Sequence, residues 1–114
     1  MYKIYLIYAE TEGIGQWKIG ITTNIDERLA NLKVGNPNIC GVKTHYEIED
    51  RSIAYKVETL LKQHCRQYRI NGEWVMYDAL DKNTFHELCA RFEGNAKVWK
   101  EYQSNMRFNK NITR

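Results

Sequence analysis

The chain has 114 residues and a formal net charge of +3, with 43% hydrophobic and 27% charged side chains. That length accommodates one domain with a small core, the composition is that of an ordinary globular protein, and the single proline and seven glycines leave no room for a disordered linker in the middle. The longest apolar run falls far short of the roughly 20 residues that a membrane-spanning helix needs, and no small-residue cleavage site stands near the N-terminus. The expectation is therefore a cytoplasmic protein with no membrane association and no signal peptide.

Cys40, Cys65 and Cys89 are odd in number and contain no C-x-x-C pair. Three reduced thiols, mostly buried, are expected rather than a disulfide framework or a zinc site. The charge is unevenly placed. Residues 1–94 carry 12 Lys/Arg against 13 Asp/Glu, whereas residues 95–114 carry five basic residues against Glu101 alone. The basic residues Lys97, Lys100, Arg107 and Lys110 suit a phosphate backbone.

Tyr2–Ala9 is short, apolar and aromatic, and predicts a first strand. In Trp17–Thr22, Trp17, Ile19 and Ile21 alternate with Lys18, Gly20 and Thr22, which predicts a second strand with Lys18 turned away from the apolar face. Seven residues containing Gly13 and Gly15 join the two as an antiparallel hairpin with a longer loop. Asn24 then caps a helix, with Glu27 in capping-box position and Ile25, Leu29 and Leu32 on one stripe. Gly35 is its expected left-handed stop, before Asn36-Pro37. Arg28 falls at the margin of the buried stripe.

Residues 39–48 predict a third strand with Val42, Thr44, Tyr46 and Ile48 on one face. A second helix starts at Asp50 or Ser52 and runs to about Tyr68, with Ile53, Val57, Leu60, Leu61, His64 and Tyr68 inward and Glu58 at the stripe's margin. Asn71-Gly72 turns into a short extended piece, Trp74–Tyr77, where Glu73 and Trp74 read as anchors of the loop to the core. Asn83 or Thr84 caps a third helix bearing Phe85, Leu88, Cys89 and Phe92 and stopped by Gly94. A last amphipathic helix carries Val98, Trp99, Tyr102 and Met106. The organisation expected is a domain over 1–94 with a basic, helical extension over 95–114.

Taken singly, the polar residues at these margins have ordinary roles open to them. Tyr8 can be a packed strand aromatic, Arg28 a solvated helix residue, and Glu58 an i, i+4 partner of Lys62. Their order is more specific. Leu6-Ile7-Tyr8, Lys18-Ile19-Gly20, Thr22, Arg28, Asn36-Pro37, Glu58, His64 and Gly72-Glu73-Trp74 follow one another. This series, over roughly Tyr2 to Tyr77, resembles the GIY-YIG nuclease superfamily, in its phage-enriched branch whose second motif is often K-I-G.

The resemblance implies an α+β fold, a small three-stranded antiparallel sheet flanked by helices, and a one-metal phosphodiesterase site. Glu58 would bind Mg²⁺ or Mn²⁺, Arg28 would hold the phosphate, and Tyr8 would activate water. Lys18, Thr22 and His64 would contact phosphate or support the site. Leu6 departs from the family's glycine and Lys18 from its second tyrosine, which leaves the identity of the general base open. The expected activity is a weakly specific or nicking DNA endonuclease, acting in the host cytoplasm if phage-encoded. RNA as substrate and a homodimer as working unit remain open. The alternative is a catalytically degenerate module that binds nucleic acid or protein, and a third reading docks Trp99, Tyr102 and Met106 on a partner helix.

Overall fold

The computed structural model describes the backbone of residues 1–112 and the side chains of residues 1–70 and 72–106. An antiparallel sheet divides one helix from two. Its strands are β1 (Tyr2–Thr11), β2 (Ile14–Thr22), β3 (Ile39–Ile48), β4 (Arg69–Asn71) and β5 (Trp74–Met76), in the order β3-β1-β2-β5-β4. The helices are α1 (Ile25–Gly35), α2 (Arg51–His64) and α3 (Lys82–Ile112). The α+β class agrees with the sequence, but the sheet has five strands rather than three. The two extra strands are only three residues long, below the length at which alternation registers.

The β1–β2 hairpin is tighter than expected. Strand pairing continues to Thr11 and Ile14, so the connection is Glu12-Gly13, not seven residues. Both have positive φ, 53° and 80°, the conformation of the two-residue turn whose twist matches its flanking strands. The register places Tyr5 opposite Gly20, Ile7 opposite Lys18 and Tyr8 opposite Trp17.

Alternation along these strands feeds two cores. Ile4, Leu6, Trp17 and Ile19 join Val57, Leu61, Phe85, Leu88 and Cys89 beneath α2 and α3. Tyr5, Ile7, Ala9 and Ile39 form a smaller cluster against Ile25, Leu29 and Leu32 of α1. The expected single face of β3 is corrected by register shifts that skip Lys43 and Cys40. Each bulge inverts the alternation, so Val42 packs in the smaller cluster while Tyr46 and Ile48 belong to the larger.

The helix boundaries differ from expectation for local reasons. Gly35 is the last residue of α1 without positive φ, and Asn36 caps it in an extended conformation before Pro37. Asp50 caps α2 by accepting from Ile53 N at 3.1 Å; the helix ends at His64, and a separate 3₁₀ turn spans Arg66–Tyr68. Asp81, rather than Asn83 or Thr84, caps α3 by accepting from Thr84 N at 2.8 Å. Gly94 stops nothing, because α3 runs straight through it. An interior glycine costs about 1 kcal/mol relative to alanine, less than the packing of Phe92 and Ala96 on either side returns. Among the described residues, no helix is long and apolar enough to cross a membrane.

Candidate active site

The side chains that come together lie on the α1 face of the sheet and along the junction of β2 with β5. Gly20 permits the first contact. A Cβ there would lie 2.2 Å from Tyr5 Oη and 2.4 Å from Tyr5 Cζ, so only glycine leaves room for the phenol. Arg28 meets that phenol from α1, its Nε donating to Tyr5 Oη at 3.2 Å. Asn24 fixes the helix start by accepting from Glu27 N at 3.1 Å, which sets the rotation that aims Arg28 at the sheet.

Lys18, two residues before Gly20 on the same face, is 8% exposed. Its Nζ lies 2.7 Å from Glu73 Oε2 and 5.3 Å from the centroid of the Trp74 ring. Glu73 is held there by the β4–β5 hairpin, since β5 pairs Trp74 with Lys18. Its other oxygen, Oε1, accepts from Lys62 Nζ at 3.1 Å, and Lys62 stands 3.5 Å from Glu58 Oε2 one turn earlier on α2. Four charges of alternating sign, Lys18–Glu73–Lys62–Glu58, thus run from sheet to helix.

The environment of each group follows from this packing. Burial pushes the Tyr5 phenol above its usual value, and the Arg28 hydrogen bond opposes that only in part. Burial raises Glu73 too, but there the hydrogen bonds from Lys18 and Lys62 prevail and hold its carboxyl below the usual range. Glu58 and Glu73 border a cleft of about 510 Å³ that also touches Lys62, Arg66 and Arg69.

Of the residues singled out from the sequence, Lys18, Arg28 and Glu58 lie along this constellation, and Tyr8 does not. Tyr8 stands opposite Trp17 and therefore on the other face, with its ring 5.3 Å from Trp17 and 5.9 Å from Tyr77. Tyr5 is the phenol beside Arg28. Thr22 turns inward on its own loop, its hydroxyl accepting from Asn24 N at 3.1 Å and donating to Asn24 O at 3.2 Å. His64 is a second correction: it is exposed, off the core stripe and away from Glu58, with its ring 6.3 Å from Phe92. The stripe passes instead to Cys65, which is buried where the helix unwinds.

In the extension, Lys97 pairs with Glu93 at 3.7 Å and Lys100 with Asp50 at 2.6 Å, so both charges are engaged within the fold. The Arg107, Phe108 and Lys110 side chains lie outside the described residues. Cys65 and Cys89 are buried and Cys40 is exposed, all three unpaired.

A family model matches residues 3–106, nearly the whole chain, and its description is the T5orf172 domain. The chain belongs to the T5orf172 domain family. This is a phage-associated domain, in keeping with a nuclease-related fold. Comparisons with curated proteins and with solved structures returned no match.

What metal the T5orf172 chain suits follows from its oxygen donors. Among the described residues no three His, Cys, Asp or Glu side chains gather into a cage. Glu58, its side chain 13% exposed at the cleft wall and 3.5 Å from Lys62 Nζ, is one hard oxygen donor bordering the cleft. That fits Mg²⁺ or Mn²⁺, which use one or two carboxylates with water and substrate phosphate completing the shell.

Proposed function

We propose that this T5orf172 protein is a divalent-metal-dependent DNA endonuclease of GIY-YIG type, working in the cytoplasm of a phage host. The observation that carries the reading is the Tyr5–Arg28 hydrogen bond set beside the charge chain that ends at Glu58. A phosphodiester spanning from Arg28 to the cleft that Glu58 borders requires cations for its nonbridging oxygens, a group to deprotonate water, and support for the leaving oxygen.

Arg28 presents a rigid fork of donors to the phosphate. Lys62 supplies a second positive charge once it exchanges a carboxylate for a phosphate oxygen. Tyr5 gives its own proton to solvent, and the Arg28 guanidinium, donating to Oη, stabilises the phenolate that forms. That phenolate then takes the proton of the attacking water. Tyr5 thereby takes the role that the sequence assigned to Tyr8. Glu73 keeps Lys18 and Lys62 in register. Glu58 would hold Mg²⁺ or Mn²⁺, which when bound offsets negative charge at the phosphate and the leaving oxygen.

One observation favours a second reading, a binding module that no longer cuts. Lys18 replaces the family's tyrosine, and its ammonium is already satisfied by Glu73 at 2.7 Å. Supercoiled-plasmid cleavage with Mg²⁺ or Mn²⁺ against EDTA separates the two, using wild type, Glu58→Ala and Arg28→Ala. Metal-dependent nicking reduced by about a hundredfold or more in both variants is expected for the endonuclease. Salt-sensitive binding without cleavage would establish the module.

A further inference from the structure

Arg66 and Arg69 have no part in the chemistry just described, yet both line the cleft that Glu58 borders. Arg66 follows Lys62 by four residues, as Lys62 follows Glu58, and sits in the 3₁₀ turn just past the end of α2. Arg69 opens β4, which pairs with β5 at Val75 and is thereby fixed against the sheet. Both guanidinium groups are on exposed residues, and neither has a carboxylate within ion-pairing distance among the described residues. The cleft's other cation, Lys62, is shared between Glu58 and Glu73.

The charge in the cleft is therefore asymmetric. At the Glu58 end, positive and negative groups neutralise one another; at the Arg66–Arg69 end two unpaired guanidinium groups remain. Arginine forks match phosphate oxygens in pairs and are weakly hydrated, so they bind a backbone at modest desolvation cost. Backbone contacts of this kind fix register and orientation and carry no base preference.

We propose that Arg66 and Arg69 form a phosphate-binding subsite, which grips the nucleic-acid backbone to one side of the scissile phosphate. The subsite rests on the endonuclease reading for its position relative to the cut, though not for binding itself. It makes the β4–β5 hairpin and the turn before it a positioning device. A strand held there enters the cleft along α2, toward Lys62 and Glu58.

The test is fluorescence anisotropy of the full chain with a labelled DNA duplex of about 20 base pairs, in EDTA, across a salt series. Arg66→Gln/Arg69→Gln is compared with wild type, with Arg66→Lys/Arg69→Lys, and with Arg91→Gln, an exposed position outside the cleft. The Gln pair is expected to weaken binding about tenfold or more and to reduce the log–log salt slope by about 1.8, the loss of two phosphate contacts. The Lys pair should keep the slope at lower affinity, and Arg91→Gln should match wild type. In plasmid nicking, the Gln pair should raise KM and leave kcat within about twofold, as removal of uniform binding does. An unchanged affinity and slope in the Gln pair would overturn the subsite. Because binding is read without metal, loss of slope in a protein that never cleaves would support the subsite while removing the endonuclease reading.

Discussion

Gly20→Ala is the substitution that probes the site's geometry most directly. The added methyl would sit 2.2 Å from Tyr5 Oη, against an optimal carbon contact of about 3.5–4.0 Å. Neither side yields easily. Tyr5 is 1% exposed within the cluster under α1, and Gly20 lies inside β2, paired with β1. Either the ring swings away from Arg28 or the strands part, and overpacking of this kind costs about 1–3 kcal/mol. For a domain of this size that lowers Tm by about 4–12 °C. Losing the phenol from beside Arg28 should also reduce nicking by about a hundredfold. Thermal denaturation followed by circular dichroism, with plasmid nicking on the same samples, reads both effects. Gly94→Ala is the control: a Cβ there meets nothing within 4 Å, and an exposed helical position should gain about 0.5–1 kcal/mol. The double variant Gly20→Ala/Tyr5→Val should recover stability without recovering nicking. A Gly20→Ala protein that melts within about 1 °C of wild type and nicks normally would refute the close approach of Tyr5 and the role built on it.

The remaining expectations follow from the same packing. Tyr5→Phe should reduce nicking by about 10²-fold or more while Tyr8→Phe stays within about twofold, because only Tyr5 touches Arg28. Burial raises the Tyr5 pKa above 10.0, so its deprotonated form is scarce at neutral pH; nicking should climb about tenfold per pH unit through the alkaline range, and Tyr5→Phe should flatten that profile. Glu73→Ala leaves Lys18 buried and unpaired and should cost about 1–2 kcal/mol, whereas Lys18→Met should cost less or stabilise; denaturant titration compares them. Burial pushes the thiols of Cys65 and Cys89 up to about 11 and about 12, so alkylation of the native protein near pH 8 should add one adduct, at Cys40, with three after unfolding, read by intact mass.

Much of this fold was written in local signals. The alternation of Trp17, Ile19 and Ile21 against Lys18 and Gly20, the Asn24 cap and the Asp50 cap each correspond to one stretch of backbone. The candidate site was legible wherever it depended on a single element: Lys18, Arg28 and Glu58 lie where their own strand or helix would put them. The Leu6-Ile7-Tyr8 triplet points to Tyr8, but which tyrosine faces Arg28 depends on the hairpin's register, which the triplet does not carry. A seven-residue loop would pair Tyr8 with Lys18, but the two-residue turn at Glu12-Gly13 pairs Ile7 with Lys18, and a shift of one residue exchanges the faces of a strand. The cue was present in Gly20, whose lack of a side chain accommodates the ring opposite. Glu73 was legible as an anchor of its loop, but its partnership with Lys18 was not, for a different reason. Its place depends on β4 and β5, strands too short to show a period, and on a pairing between residues 18 and 74 that no local pattern encodes.

The bulges at Lys43 and Cys40 have a consequence for how the protein behaves in a crowded solution. β3 forms one margin of the sheet and β4 the other. A long, flat margin is a template on which a foreign chain can add itself and begin an aggregate. Here β3 is interrupted twice and carries an exposed lysine at one interruption, while β4 offers only three residues. Both margins are poor templates. The protein should therefore tolerate high local concentration, such as accumulation along a nucleic acid, without its molecules adding to one another strand by strand.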